Sequence, residues 1–417
     1  MAKTHSRVLS GMRPTGRLHL GHYHGVLKNW VRLQQEFDCF FFVADWHALT
    51  THYEESHIIA ESIWDMVIDW LAAGVDPESA QLFIQSHVPE HAELHLLLSM
   101  VTPLGWLERV PSYKDQQEKL RERDLATYGF LGYPLLQSAD ILIYGADKVP
   151  VGEDQVAHVE LTREVARRFN HIFGREPGFE AAAEAAIKKM GKNNARRYHD
   201  LRKRYQEQGE REAVAVAQAL LEEQQNLSHS DRERLLGYLE GSGRMILTEP
   251  QALLTPASRM PGLDGQKMSK SYHNTITLRE TPEDVRQKLR TMPTDPARIR
   301  RTDAGNPDVC PVWQLHAVYS DEAVKGWVRE GCTTAGIGCL ECKQPIIDSI
   351  LGELAPLQER AREYERDRDR VRAIIAEGCE AARAVASETL AEVRAVMGLD
   401  YAPKNLMGNR DNAPKLG

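Results

Sequence analysis

Three short apolar or β-rich runs punctuate the first hundred residues, at 7–12 (RVLSGM), 39–44 (CFFFVA) and 81–86 (QLFIQS), and longer periodic stretches separate them. Runs of this length predict strands. Between the first two, Leu27, Trp30, Val31 and Phe37 fall on one helical face, and between the second and third, Ile63, Met66, Val67 and Trp70 do the same. The alternation predicts a parallel sheet with helical crossovers, an α/β arrangement. Beyond Gly105 the pattern turns mostly helical, with strong segments at 131–144 and 156–169 and a candidate strand at 149–151.

Composition shifts near Phe173. From 175 to about 249 the chain is rich in Ala, Glu, Gln, Lys and Arg and poor in β-branched residues, which predicts two or three surface helices. Within it Lys188, Lys189, Lys192, Arg196, Arg197, Arg202, Lys203 and Arg204 oppose only Asp200. Charge alone favours a solvated helix face over nucleic-acid contact for this patch. After Pro282 the pattern is helical to about Leu399, and 401–417 reads as a flexible tail. No internal period suggests a repeat array.

A length of 417 residues supports two or three domains with a sizeable core, and 42% hydrophobic with 27% charged residues is ordinary globular usage. The apolar runs fall far short of the ~20 residues of a membrane span, so no membrane association is expected. The N-terminus shows no apolar signal segment, so a cytoplasmic location is expected. Six cysteines in such a chain suggest metal ligands before disulfides. With 52 Lys and Arg against 60 Asp and Glu the net charge is −8, so a nucleic-acid partner must be met by local basic patches.

Two segments carry phosphate chemistry. Pro14-Thr15-Gly16-Arg17-Leu18-His19-Leu20-Gly21-His22 forms a loop between the first strand and the first helix. A helix N-terminus over glycine offers free backbone N–H groups to an anion, and two imidazoles add donors, although the same histidines could serve as caps. Far downstream, Lys267-Met268-Ser269-Lys270-Ser271 follows Gly262, Asp264 and Gly265. Two lysines on a glycine-flanked loop make a cationic clamp suited to charge developing on a leaving pyrophosphate.

His-Leu-Gly-His and Lys-Met-Ser-Lys-Ser in this order resemble the paired signatures of class I aminoacyl-tRNA synthetases. Within that class, the run from Tyr133 to Tyr144 (YPLLQSADILIY), then Val149-Pro150-Val151-Gly152-Glu153-Asp154-Gln155, is similar to the bacterial tryptophanyl-tRNA synthetases. So are Asp45-Trp46-His47-Ala48 and Phe83-Ile84-Gln85-Ser86. The resemblance covers 7–173 and 251–399. It implies a Rossmann-like parallel-sheet catalytic domain over 1–174 and 251–290, interrupted by the charged insertion 175–250 and followed by an all-helical anticodon-binding domain over 291–400. It also implies a homodimer whose substrates are L-tryptophan, ATP with Mg²⁺, and tRNA(Trp).

By the same resemblance, Arg13, Pro14, Thr15, Gly21 and His22 line the ATP site, with Gly152, Glu153 and Asp154 on the ribose and adenine side and Arg259 touching adenine. Lys267, Met268, Ser269, Lys270 and Ser271 grip the phosphates, and His19, His22, Lys267 and Lys270 are the catalytic set. Asp140 accepts the indole N–H, while Leu9, His47, Gln137, Val149 and Gln155 complete the tryptophan pocket. A carboxylate could equally accept from a phenol, so Asp140 alone does not exclude tyrosine. Tyrosyl enzymes carry a tyrosine at the position of Leu9 to bond the substrate hydroxyl. Leucine cannot, and a stranded buried hydroxyl costs ~1–3 kcal/mol, which favours tryptophan. A non-catalytic synthetase-like binding protein would have no need of the full clamp, and a generic nucleotidyltransferase would not need the long helical region.

Cys310, Cys332, Cys339 and Cys342 are separated by 21, 6 and 2 residues. Four thiolates suit either tetrahedral zinc or a four-iron cluster, and buried thiols without metal are the alternative. Only Cys339 and Cys342 form a close pair, which suits a cubane. A subset of tryptophanyl-tRNA synthetases with a nearly identical cysteine pattern binds such a cluster, so the resemblance implies [4Fe–4S] as a structural brace, with zinc as the fallback. Cys39 and Cys379 read as buried hydrophobes. His52, His57, His87, His91 and His95 crowd one region without metal-ligand spacing, and 359–372 reads as a salt-laced helix surface.

Overall fold

Arg7–Met12 (β1), Asp38–Val43 (β2), Ala80–Ile84 (β3), Lys148–Val151 (β4) and Gln251–Leu254 (β5) form one parallel sheet in the order β3-β2-β1-β4-β5. They belong to a computed structural model that describes residues 6–110, 127–174, 178–208, 210, 212–241, 245–254 and 260–401. The four strands read from the sequence are all present. β5 carries no such signal, because it is a four-residue strand at the sheet edge with exposed ends and half-buried central residues.

Every residue of β2 from Cys39 to Val43 is buried, since helices cover both faces of the sheet and alternation disappears. On one face Trp30 stacks on Phe41 at 4.2 Å and meets Trp70 edge-on at 5.0 Å. These are the two helical faces read from the sequence, now in Lys28–Leu33 and Ser56–Ala73. On the other face lie the in-register neighbours Leu9 and Phe40, then Gly11 and Phe42, with Tyr144 stacked on Phe40 at 4.9 Å. A Cβ on Gly11 would lie 2.5 Å from the Phe42 ring, so glycine makes room for that ring.

Among the helices of the C-terminal third, Pro311–Tyr319, Cys339–Arg366 and Arg368–Val396 share one continuous apolar core with the sheet, from Val8 to Val393, while Glu322–Thr333 packs beside Cys339–Arg366. Arg368–Val396 crosses β3 at Gly378, where a Cβ would sit 2.0 Å from the Leu82 carbonyl oxygen. The helix thereby covers an edge strand that would otherwise be open to pairing. Arg279 joins the two halves, with Asp65 at 3.1 Å, Asp69 at 2.8 Å and Glu365 at 2.5 Å.

The insertion forms four helices among the described residues, Phe179–Lys189, Gly191–Gln208, Glu212–Glu222 and His229–Glu240, rather than two or three surface ones. They enclose a second core of Ala183, Ala186, Tyr198, Ala217, Leu220, Leu235 and neighbours. Its apolar residues are spread a few to each helix among Lys, Arg, Glu and Gln, so no single helix announces the core they build together. Asn170 ties its exit to the helix Val156–Phe173, donating to the Leu247 carbonyl at 2.8 Å and accepting from the Ile246 and Leu247 N–H groups at 2.9 Å. The expected tail lies outside the described residues apart from Tyr401. Among the described residues no helix is long and apolar enough to cross a membrane.

Candidate active site

In the strand order 3-2-1-4-5 the connections diverge between β1 and β4, and ligands of open α/β sheets bind at the carboxyl ends of strands at such a point. The loop after β1 is Arg13–His22 in sequence and the turn after β4 is Gly152–Gln155, so the two segments read as the ATP site flank one crevice.

His19 caps the short helix Leu20–His22. Its Nδ1 accepts from the Gly21 N–H at 3.1 Å, and His22 Nδ1 accepts from the His19 N–H at 3.2 Å. The capping and functional readings therefore coexist. Burial, then Lys270, lowers His19 to about 4, and burial with His19 and Lys270 lowers His22 well below the ordinary imidazole value. Both rings are neutral near pH 7, and because each Nδ1 accepts, each proton stands on Nε2. The rings lie 3.9 Å apart, and a Cβ on Gly21 would meet the His19 ring at 2.9 Å.

The Lys267–Ser271 segment is tied to this loop. Leu20 N–H donates to Ile276 at 3.0 Å, Leu278 N–H donates to Leu18 at 3.0 Å, and His19 pairs with Thr277 in an antiparallel bridge. Buried Asn274 holds the segment's shape, accepting from Ser269 N–H at 2.8 Å and donating to Asp264 at 2.7 Å and to the Lys267 carbonyl at 3.2 Å. Lys270 Nζ donates to the carbonyls of Thr15 at 3.1 Å and Gly16 at 2.9 Å. Burial lowers Lys270 to about 8, against an upward pull from Asp69. Lys267 is exposed and Met268 buried. Arg13, Pro14 and Thr15 follow β1 directly, whereas Arg259 lies outside the described residues.

Beside the crevice, the helix Tyr128–Leu142 carries Tyr133, Gln137 and Asp140 at helical spacing on one side. Asp140 is fully buried. Its Oδ2 accepts from His47 Nε2 at 2.7 Å, and its Oδ1 from Gln85 Nε2 at 2.8 Å and from His91 Nδ1 at 2.6 Å. Burial pulls the acid upward, but His47 and His91 outweigh it and hold the carboxyl well below the usual carboxylate range. His158 Nδ1 donates to Gln137 Oε1 at 2.6 Å, with burial and then His47 lowering His158 to about 4. Leu9 and Val149 are buried side by side, one residue beyond the Val8–Lys148 pair of β1 and β4. Gln155 is half-buried at the start of the helix Val156–Phe173.

Gln85, His91, Tyr144 and His158 belong to this polar cluster and were not assigned from the sequence. Gln85 and Tyr144 lie inside the quoted signature runs. His91 was set aside with its neighbouring histidines because linear spacing does not reveal which of five imidazoles faces inward.

Of the eight basic insertion residues, Lys189 pairs with Asp231 at 2.8 Å, Arg204 with Glu210 at 2.5 Å, and Arg202 stacks on Tyr238 at 4.2 Å while donating to its carbonyl at 2.9 Å. Those three support the insertion's own fold. Lys188, Lys192, Arg196 and Arg197 are exposed without an ion pair among the described residues.

Cys310, Cys332, Cys339 and Cys342 come from three separate segments and become neighbours. Burial pushes the Cys342 thiol up to about 12, with the other three thiols adding to the effect. Among the described residues no three His, Cys, Asp or Glu side chains stand where they could already hold a metal ion. Arg298 Nη1 lies 3.8 Å from Cys332 Sγ, and Lys343 donates to the Arg290 and Met292 carbonyls at 2.8 and 2.7 Å. Both cations are buried.

A family model described as tRNA synthetases class I (W and Y) matches residues 1–208 and 224–348. The chain is 69% identical over 396 residues to a tryptophan–tRNA ligase of Ralstonia nicotianae, covering 95% of this chain and 99% of that protein. It is 43% identical over 398 residues to the corresponding ligase of Thermotoga maritima, covering 95% and 100%. Among solved structures, tryptophanyl-tRNA synthetase from Campylobacter jejuni complexed with ADP and tryptophan aligns with a TM-score of 0.70 at 25% identity, covering 94% of this chain and 100% of that one.

Proposed function

Because the chain belongs to the class I tRNA synthetases for tryptophan and tyrosine, we propose that the crevice between β1 and β4 is where it activates L-tryptophan with ATP and passes the acyl group to tRNA(Trp). The reaction is tryptophan–tRNA ligation. A tryptophan carboxylate oxygen attacks the α-phosphorus of ATP, a new O–P bond forms, and the bond to the β-phosphate oxygen breaks. Pyrophosphate leaves and tryptophanyl-adenylate remains. A hydroxyl of the tRNA terminal ribose then attacks the activated carbonyl and AMP leaves.

The observation that carries this reading is the contact between Lys270 and the Thr15–Gly16 carbonyls, which joins the two phosphate-binding segments over one crevice. Neutral Nε2–H groups of His19 and His22 donate to phosphate oxygens, and Lys267 and Lys270 neutralise charge as pyrophosphate departs. ATP enters with Mg²⁺ as its substrate form. Arg13, Pro14 and Thr15 line the nucleotide, with Gly152, Glu153 and Asp154 on its ribose side. Asp140 accepts the indole N–H above the apolar floor of Leu9 and Val149, and His47, Gln137 and Gln155 close the pocket. ATP–pyrophosphate exchange with each amino acid tests the reading: tryptophan supports exchange and tyrosine is weaker by ~10² or more. Equal rates with both would overturn it.

The four cysteines support a metal centre in the helical part that reads the anticodon. Buried Arg298 and Lys343 stand beside the thiols, and neither has a carboxylate at ion-pairing distance among the described residues. Arg298 Nε has no partner there either. Two buried cations facing four sulfurs suit a donor set that becomes anionic. A [4Fe–4S] cluster held by Cys310, Cys332, Cys339 and Cys342 supplies cross-linking of three chain segments and takes no part in activation, with zinc as the alternative occupant. The working enzyme is a homodimer.

A further inference from the structure

The donors around Asp140 are distributed unequally between its two oxygens. A carboxylate offers about four lone-pair directions, two on each oxygen. Oδ1 uses both, accepting from Gln85 and His91, while Oδ2 accepts, among the described residues, only from His47. The remaining direction therefore belongs to Oδ2. His47 is also the side from which a ligand can approach, its side chain being 11% exposed against 0% for His91.

His91 is itself constrained. Its Nε2 lies 2.7 Å from the Tyr144 hydroxyl, and its ring packs against the stacked pair Phe42 and Phe83, about 6 Å from each. An ionised carboxylate only accepts, so the proton facing Asp140 is on Nδ1. Nε2 of the neutral ring then accepts from the Tyr144 hydroxyl, whose phenol is pushed well above its ordinary value by burial and then Asp140. The neighbouring Glu90 accepts from Arg383 at 2.8 Å and Ser387 at 2.9 Å, pinning this turn to the C-terminal helix.

We propose that His91, oriented by Tyr144, is a positioning residue for substrate selection: by saturating Oδ1 of Asp140 it leaves Oδ2 as the oxygen presented to the substrate's ring N–H. The proposal rests on Asp140 being the indole acceptor. Its physical content is that a fixed, ionised acceptor discriminates for an N–H, whereas a carboxylate free to rotate shares its lone pairs among His91, His47 and substrate.

The test is ATP–pyrophosphate exchange with tryptophan and with its benzothiophene analogue, which keeps the bicyclic shape and replaces N–H by sulfur. The wild type favours tryptophan in kcat/KM by ~10-fold or more, since the analogue strands a buried acceptor. Asp140→Ala brings the ratio within ~2-fold of unity; an unchanged ratio there would sink the acceptor reading itself. His91→Leu lowers the ratio ~5-fold through KM for tryptophan while KM for ATP holds. His91→Asn, whose amide N–H occupies the Nδ1 position, restores most of it, and His91→Gln does not. Tyr144→Phe lowers the ratio ~2-fold. If Asp140→Ala collapses the ratio while folded His91→Leu and Tyr144→Phe retain the wild-type value, His91 only packs and the proposal is overturned. Should His91→Leu fail to fold, equal ratios for the Asn and Gln variants would overturn it.

Discussion

The ammonium of Lys270 donates to the carbonyl oxygen of Gly16 across 2.9 Å, joining segments 254 residues apart in the chain. Gly16 has φ of +102°, a conformation that favours glycine and turns this carbonyl toward the lysine. The lysine segment and the loop after β1 are thus in direct contact, and on the proposed reading ATP phosphates compete with two carbonyls for the same cation.

Lys270→Ala should therefore lower kcat in tryptophan-dependent exchange by ~10² or more, with KM for tryptophan little changed, because the lysine acts on charge that appears only as pyrophosphate leaves. Steady-state exchange kinetics measure this directly. Unaltered turnover would make the lysine a loop tether only.

Lys270 is lowered to about 8 and His19 to about 4, both mainly by burial. The protonated lysine is the binding form, so kcat/KM for ATP should be level through neutral pH and decline as pH rises through about 8. Neutral His19 is the donor in use, so the acid-side decline begins only as pH falls toward about 4, with no inflection near the ordinary imidazole value. Since kcat/KM reports the free enzyme, its pH profile is the measurement, and a flat response between pH 7 and 9.5 would contradict the assignment to Lys270.

Gly378→Ala places a methyl group on the Leu82 carbonyl oxygen, 2.0 Å from its ideal position. Backbone cannot yield there without lifting the C-terminal helix from β3. A loss of about 3 kcal/mol or more in urea unfolding is expected, at the upper end of overpacking costs. Gly352→Ala, with nothing within 4 Å of its Cβ and a place inside the helix Cys339–Arg366, is the control and should be neutral or slightly stabilising.

Anaerobically purified protein should be brown and hold about four irons per chain. Cys339→Ser should lose iron and tRNA charging before it loses tryptophan-dependent exchange, because none of the four cysteines is among the residues proposed to hold ATP or tryptophan. Colourless protein with one equivalent of zinc would select the other metal, and protein free of metal would leave four buried thiols.

Much of this protein is determined by local pattern. The strands β1 to β4, the faces containing Trp30 and Trp70, and the loop and lysine segments are legible because short-range periodicity and backbone chemistry are written in consecutive residues. Asp140 is singled out in the sequence by another route, the resemblance of the run Tyr133–Tyr144 to the tryptophanyl family, because one acidic residue in a helical run carries no signal of its own. Only the tertiary structure decided its partners: His47, Gln85 and His91 come from three segments separated from it by 93, 55 and 49 residues, and no linear spacing encodes their convergence. The insertion's core was hidden in the same way, because a few apolar residues on each of four charged helices mark a core only once those helices are packed together. Packing also divided seven of the eight insertion cations into those that hold the fold and those that face solvent, a distinction that depends on Asp231, Glu210 and Tyr238 being nearby in space.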